Sequence, residues 1–316
     1  MNNPLVYLIV LSWNQKQDTL MCLASVSRVT YPNFRVVLVD NASVDGTAEE
    51  VREKFPGVKV IRNNKNLGFT GGNIKGAEYV CAQGADYIML LNNDVEVAPD
   101  FLEPLIKVAE TDAAIGAIAP LIHFFEPRDR VQSAGCNRKW LGLNNQKLFY
   151  GKSDKNIPEL LESDMVSGAA LCIKRKVIEE VGFLDNIYFA YNEDMDLCYR
   201  IRKAGYRIVT VKASRIWHKI SASTGGYRNP ANQYLMARGA AIFMRKYGRW
   251  WEKLLFFPLA FTASTIVILR DIWYGLARAD LPRYEGYIDG WFLKAVDDEK
   301  LSAIKSRHKK EVSFIQ

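Results

Sequence analysis

Tyr87-Ile88-Met89-Leu90-Leu91-Asn92-Asn93-Asp94-Val95 is the stretch whose reading decides the fold. An apolar run gives way abruptly to three polar residues, the last of them a carboxylate. Bounded by Asp86 on one side and the Asn-Asn-Asp cluster on the other, the run is short and β-compatible. It reads as a central parallel strand buried on both faces. Ligands in open α/β sheets bind just beyond the carboxyl ends of such strands, where Asp94 would stand. Taken alone, the same three residues also suit a plain turn, because Asn and Asp bond their own backbone.

Outward from this strand the pattern repeats. Val6 to Leu11, Arg35 to Val39 and Val58 to Ile61 are further short apolar runs, separated by stretches of helical character. Strands alternating with helices indicate βαβ units and a parallel sheet. Helix starts are marked by Asp45-Gly46-Thr47 before Ala48 to Lys54, by Thr70 before Gly71 to Ala82, and by Pro99 early in a helix reaching about Glu110. The first half is therefore predicted to be a Rossmann-like nucleotide-binding layer.

From Pro120 the chain turns to mixed strands and loops, the expected acceptor-side half. Met165 to Ile173 is predicted as a strand with a small-residue centre, and Asp194 to Ala204 as a helix stopped by Gly205. Ala231 to Tyr247 reads as another helix. Beyond it Arg245 to Lys253 is basic and aromatic, and Leu254 to Leu269 contains no charged residue. Crossing a bilayer takes about 20 apolar residues. This run is shorter and holds Pro258, with Trp250, Trp251 and Trp273 around it. An interfacial anchor touching an anionic membrane is expected, with packing against the protein as the alternative. The division predicted is a catalytic domain over 1–245 and a helical region over 246–316.

The 316 residues, 49% of them hydrophobic, exclude disorder and suffice for one large α/β domain with an appendage. The net charge of +7 favours an anionic partner. Nucleic acid is not that partner: the basic residues gather beside the apolar tail and not along a groove with spaced stacking aromatics. Five scattered cysteines without a C-x-x-C pair suggest neither a disulfide framework nor a thiolate zinc site, which fits a reducing cytoplasm. Leu5 to Leu11 lacks a basic lead and a cleavage site, so it is read as a strand and not a signal peptide.

Four polar clusters fall beyond predicted strand ends: Ser12-Trp13-Asn14, Asp40-Asn41-Ala42-Ser43, Asn63 to Phe69, and Asn92-Asn93-Asp94. A parallel sheet would bring all four to one crevice. Asp40 can accept hydrogen bonds from a base or ribose, or serve as a turn residue. The glycines from Gly68 to Gly72 let backbone N–H groups approach an anion at a helix start, though neither the G-x-G-x-x-G fingerprint nor a Walker lysine is present. Asp94 suits Mg²⁺ or Mn²⁺, hard cations that prefer oxygen ligands. His218 could be a second ligand or a structural imidazole. In Glu193-Asp194-Met195-Asp196 a carboxylate could accept the proton of an attacking hydroxyl, or simply cap a helix.

Taken in order, these motifs resemble the inverting glycosyltransferases of family 2, of GT-A type, and in particular their bacterial rhamnosyltransferase-like branch. The resemblance runs from about residue 5 to 245. It is carried by Ser12-Trp13-Asn14, Asp40-Asn41-Ala42-Ser43-x-Asp45-Gly46-Thr47, Asn66-x-Gly68-Phe69-x-x-Gly72-Asn73, Leu91-Asn92-Asn93-Asp94 and Asn192-Glu193-Asp194-x-Asp196-Leu197-x-x-Arg200. It implies a GT-A fold: a Rossmann-like half with a mainly parallel central sheet, an acceptor-side half and a helical C-terminal tail. It also implies a nucleoside-diphosphate-sugar donor with Asp40 at the nucleobase. Ser12, Asn14, Asn66, Gly68, Asn73, Asn92 and Asn93 would line the donor pocket, and Arg238 would contact the diphosphate. Asp94 and His218 would hold a divalent cation, and Asp194, with Glu193 beside it, would be the catalytic base. Asn92 stands where the family's D-x-D motif has its first acidic residue, so one carboxylate would sit on the cation.

The implied enzyme builds cell-surface polysaccharide, using a donor such as dTDP-rhamnose and a saccharide or lipid-linked acceptor. It would work in the cytoplasm, peripherally on the inner face of the cell membrane, with homo-oligomer formation left open. Two other readings remain at this level. A nucleotidyltransferase would carry a Gly-rich basic loop after the first strand, where Ser12-Trp13-Asn14-Gln15 stands. A non-catalytic nucleotide-sugar-binding membrane protein would have no need of both Asp94 and Asp194.

Overall fold

A computed structural model describes residues 3–138, 146–219, 229–273 and 281–313. Its strands are β1 (Val6–Ser12), β2 (Phe34–Asp40), β3 (Lys59–Arg62), β4 (Tyr87–Asn92), β5 (Val95–Val97), β6 (Ile115–Phe124), β7 (Val131–Ser133), β8 (Cys136–Asn137), β9 (Gln146–Lys147), β10 (Leu160–Glu162), β11 (Ala170–Lys174) and β12 (Arg207–His218). Its helices are α1 (Lys16–Val26), α2 (Thr47–Lys54), α3 (Gly68–Ala82), α4 (Leu102–Thr111), α5 (Arg175–Val181), α6 (Glu193–Lys203), α7 (Pro230–Tyr247), α8 (Trp250–Trp273), α9 (Pro282–Trp291) and α10 (Asp298–Ser313).

The main sheet runs β10-β12-β6-β11-β4-β1-β2-β3, with β5 paired to β12 and β7 to β6. β3, β2, β1 and β4 are mutually parallel, as the alternating pattern predicts, and β11 enters antiparallel beside β4. Alternate residues of these strands supply two separate cores. Val6, Leu8, Val10, Met89 and Leu91 face one, while Tyr7, Ile9, Ile88 and Leu90 face the other. Burial on both faces is why these strands read as unbroken apolar runs.

Two glycines fix how closely α3 lies on the sheet. A Cβ at Gly76 would stand 2.6 Å from Ile9 Cγ2 and 3.1 Å from Val39 Cγ2, and one at Gly72 would stand 2.4 Å from Leu11 Cδ1. Asp45 ties two helix starts together, accepting from Thr47 N–H at 3.1 Å and from Lys16 N–H at 2.9 Å, so orphan donors of α2 and α1 share one carboxylate.

Two segments begin later than the sequence predicts. β11 starts at Ala170 and not Met165, because Ser167 and Gly168 make a turn in which Ser167 Oγ accepts from Ala169 N–H at 3.2 Å. α4 starts at Leu102, after a turn in which Phe101 N–H reaches the Ala98 carbonyl.

By its contacts the chain divides into two compact units. Of the described residues, the first takes in 3–138, 146–184 and 194–219 and contains the sheet. The second takes in 185–193, 229–273 and 281–313, so α7, which a boundary at 245 would put in the first domain, makes its contacts with the later helices. Within this unit Ala237, Ala241 and Met244 of α7 pack with Phe256, Ala260 and Tyr287, and Tyr234 and Leu235 pack with Leu301 and Ile304.

Candidate active site

Strand register brings the predicted residues to one edge of the sheet. Ser12 is paired with Asp40, and Leu11 with Asn92, so three adjacent parallel strands end together. Sharp turns follow β1 and β2: Asn14 and Ala42 both take left-handed backbone, with φ of 52° and 63°, a conformation uncommon outside glycine. The two turns are knitted together. Asn14 N–H donates to Ser43 Oγ at 3.0 Å, and Val44 N–H donates to Asn14 Oδ1 at 2.8 Å.

Asp40 is fully buried at the end of β2. Its Oδ1 accepts from Ser43 N–H at 3.1 Å, while Oδ2, which has no hydrogen bond, stands 3.3 Å from Arg62 Nε. Asn41, to which the sequence assigns no role, organises the next loop. Its Nδ2 donates to Asn66 Oδ1 and to the Gly68 carbonyl, and its Oδ1 accepts from Asn63 Nδ2. Asn66 Oδ1 also accepts from Gly68 N–H at 2.9 Å, and Gly68 has a φ of 71°.

Asp94 and His218 come together at the end of β4. β12 pairs with β5 so that His218 lies opposite Val95, the residue after Asp94. His218 Nε2 is 3.1 Å from Asp94 Oδ1 and 3.4 Å from Asn92 Nδ2. The ring is oriented by Gln132, whose Nε2 donates to the His218 carbonyl at 3.1 Å and whose Oε1 lies 2.6 Å from His218 Nδ1. Since the carbonyl can only accept, the amide is fixed, and its oxygen must receive the Nδ1 proton. With Nδ1–H given to Gln132, Nε2 is the ring nitrogen turned toward a buried Asp94 oxygen that has no hydrogen bond of its own.

Asp194 reaches the same strand end by another route. Its Oδ2 accepts from Gly168 N–H at 2.9 Å and its Oδ1 from Met195 N–H at 2.8 Å. The adjoining Ala169 carbonyl in turn accepts from Asn92 N–H at 2.9 Å, which places the carboxylate beside the end of β4. Burial pushes the Asp194 carboxyl above its ordinary value of 3.8, against the lowering effect of those two N–H groups. Asp196, two residues on, braces the fold instead. It pairs with Arg200 at 2.8 Å, and Arg200 also donates to the carbonyls of Val181, Gly182 and Phe183. Glu193 is buried in the first turn of α6.

Further predicted residues make their bonds within the protein. Asn93 Nδ2 donates to Thr19 Oγ1 at 3.0 Å and to Gln15 Oε1 at 3.3 Å, and Asn73 Nδ2 donates to the Phe69 carbonyl. Ser12 Oγ is 2.8 Å from Thr19 Oγ1. Arg238, buried in α7, donates to the carbonyls of Ile187, Tyr188 and Lys294. Among the described residues no group of three or more His, Cys, Asp or Glu side chains forms a metal cluster. A cavity of about 1050 Å³ lined by Asp86, Tyr87, Glu110 and Lys174 opens at the amino-terminal end of β4 and contains none of the predicted residues.

Solved glycosyltransferases share this arrangement of strands. GalNAc-T7, crystallised with UDP, GalNAc and Mn²⁺, superimposes with a TM-score of 0.65 at 18% identity, over 98% of this chain and 55% of its own. The mannosyltransferase PcManGT of Pyrobaculum calidifontis, in complex with GDP-Man and Mn²⁺, gives 0.57 at 16% identity, over 98% and 80%. The fold is thus the GT-A fold. Residues 7–182 match Glycosyl transferase family 2, and the chain belongs to that family. It is 28% identical over 272 residues to the N-acetylglucosaminyl-diphospho-decaprenol L-rhamnosyltransferase of Mycobacterium tuberculosis, covering 79% of this chain and 86% of that protein.

Proposed function

We propose that this glycosyltransferase moves a sugar with inversion, with Mg²⁺ or Mn²⁺ bound, from a nucleoside-diphosphate sugar to a saccharide or lipid-linked saccharide acceptor during cell-surface polysaccharide synthesis. The observation that carries the proposal is the facing pair of His218 Nε2 and Asp94 Oδ1 at 3.1 Å. Two ligands at right angles on a cation with bonds of about 2.1 Å lie about 3 Å apart, so these atoms fit one small cation. Asp94 and His218 would hold it, and the donor diphosphate would supply further oxygens. When bound, the cation offsets the charge that builds on the departing diphosphate.

The chain's own groups do the rest. Asp40, whose Oδ2 carries no hydrogen bond beside its ion pair with Arg62, would accept from an N–H or O–H of the nucleoside, and Ser12, Asn14, Asn66, Gly68 and Asn92 would frame the donor around it. Asn73 and Asn93 would hold the loops of the site through their internally bonded Nδ2 groups, and Arg238, whose guanidinium donates to backbone carbonyls, would be structural. Asp194 takes the proton of the acceptor hydroxyl as that oxygen bonds to the anomeric carbon and the bond to diphosphate breaks on the opposite face. A carboxylate whose proton affinity is raised by burial is a stronger base than an ordinary one.

A dTDP-rhamnose donor and a polyprenyl-diphosphate-linked acceptor are supported by the mycobacterial rhamnosyltransferase, whose name carries that sugar and that kind of lipid. Such an acceptor places the enzyme on the inner face of the cell membrane, facing the cytoplasm. The test is a panel of nucleotide sugars scored by thermal shift with and without Mn²⁺, followed by the anomeric configuration of the product. Stabilisation by one donor that depends on Mn²⁺, with an inverted product, is expected. No shift with any donor, or retention at the anomeric carbon, would overturn the proposal.

A further inference from the structure

We infer that α8 lies flat in one leaflet of an anionic bilayer, with one face in lipid and the other on the protein, and does not cross the membrane. This deepens the membrane-side part of the function proposed above by naming the element and the way it binds.

The two faces of α8 are sharply different. Phe256, Ala260, Ser264 and Ile268, spaced by four, are buried. Leu255, Leu259, Ile266, Leu269 and Trp273 lie along the opposite face, and all are exposed; Ile266 is 62% exposed and Trp273 85%. Leu254 to Leu269 contributes no charge to that face. Its hydroxyls need no water either. Thr262 Oγ1 donates to the Pro258 carbonyl at 2.7 Å, and Thr265 Oγ1 to the Phe261 carbonyl at 2.8 Å. Hydroxyls bonded to their own helix backbone add little desolvation penalty on transfer into hydrocarbon.

Charge selects an anionic lipid surface over an apolar protein partner. Basic residues bracket the apolar run, with Arg249 and Lys253 at its start and Arg270 at its end, against Asp271 and Glu252, the latter buried and accepting from Arg249 N–H. Trp250 and Trp273, both exposed, stand at the two ends where an amphipathic ring meets headgroups.

By length and composition α8 could span a bilayer. Its neighbour forbids it. α9 packs along the middle of α8, with Phe257 against Trp291 at 5.0 Å, Phe261 against Tyr284 at 5.1 Å and Phe256 against Tyr287 at 5.7 Å. The same helix carries Glu285, paired with Lys300 and Arg307, and Asp289, paired with Lys294 and Lys300. A crossing helix would drag these ion pairs to the bilayer centre, where charges are strongly disfavoured. Lying flat leaves them on the water side.

The test uses the full chain and vesicles of phosphatidylcholine with and without phosphatidylglycerol, and no sugar substrate, so it succeeds or fails independently of catalysis. Sedimentation should show binding to the anionic vesicles that weakens with salt. Leu255→Glu with Ile266→Glu should lower partition about tenfold or more without changing the melting temperature, since both side chains are exposed. Spin labels at 255, 262 and 269, with Cys81 and Cys136 replaced by Ser because the other cysteines are buried, should report one shallow depth. A depth that peaks at 262, an absence of binding to either vesicle, or a dimer that Leu255→Glu dissociates would each overturn the inference.

Discussion

His218 Nε2 faces Asp94 Oδ1 at 3.1 Å, although one residue ends a strand at the far side of β5 and the other sits in the turn after β4. Neither side chain alone has a claim on a cation. Their pairing follows from the β5–β12 ladder and from Gln132, which turns the correct ring nitrogen toward the carboxylate.

Removing either member should weaken donor binding only when metal is present. Asp94→Ala and His218→Ala are each expected to lower donor affinity in Mn²⁺ by more than the ~10–100-fold typical of losing a residue that merely supports a metal ligand. Affinity in EDTA should stay as it is in the unsubstituted protein. Calorimetry giving unchanged affinity in Mn²⁺ would take the substituted residue out of the metal site.

Gln132→Ala should lower Mn²⁺ affinity by ~10–100-fold, because the imidazole loses the acceptor that fixes its tautomer. Paramagnetic titration of Mn²⁺ with nucleoside diphosphate present measures this directly. An unaltered Mn²⁺ affinity would show that His218 keeps its orientation without the amide.

Asp194→Asn is expected to reduce turnover by ~10²–10⁴-fold while donor affinity is retained. In the unsubstituted enzyme the base acts ionised, so kcat/KM should be full above its pKa and fall as pH drops through it. That acid limb should lie above the ordinary carboxylate value of 3.8, since burial raises the Asp194 pKa. The linkage sign is the reverse for stability: a raised carboxyl favours the fold at low pH and loses that contribution as pH rises through its pKa. The substitution removes the buried ionisable group but leaves one of two N–H donors without its acceptor. The melting temperature should move by no more than about 4 °C. A turnover near normal would remove Asp194 from the role.

Gly76→Ala should destabilise the protein by about 1–3 kcal/mol, since the new methyl meets Ile9 and Val39, both branched and fixed on the sheet. Urea unfolding gives the value. A neutral effect would mean that α3 can lift off β1 and β2 without cost.

Arg238→Lys separates a structural arginine from a ligand-binding one. Losing the guanidinium fork strands several buried carbonyls, at about 1–3 kcal/mol for each group left unsatisfied. Stability should fall while donor affinity, measured at a temperature where the variant stays folded, is unchanged. A weakened donor with intact stability would return Arg238 to the diphosphate.

β1, β4 and the second half of β2 were legible because they are buried on both faces and so leave an unbroken apolar run, and the polar residues that end them stood out against it. Gln132 and Asn41 were not. Gln132 lies on a three-residue strand with no motif around it, and Asn41 sits inside a motif where Asp40 draws the eye. Asn73 and Asn93 stand in the motifs, and their Nδ2 groups donate to the Phe69 carbonyl and to Thr19 Oγ1, partners that no motif names. Residue type does not say which neighbour gets there first.

The sequence by itself determined the βαβ frame, the family and the set of chemistry-bearing residues, because periodicity and motif spacing are properties of a chain read locally. Tertiary structure alone decided which of those residues meet. Asp94 finds His218 through a strand pairing, Asp194 reaches the end of β4 through Gly168 and Ala169, and α8 lies against α9, which carries two ion-paired carboxylates. Each depends on contacts between segments distant in the chain, fixed by register and packing, and no local pattern encodes them.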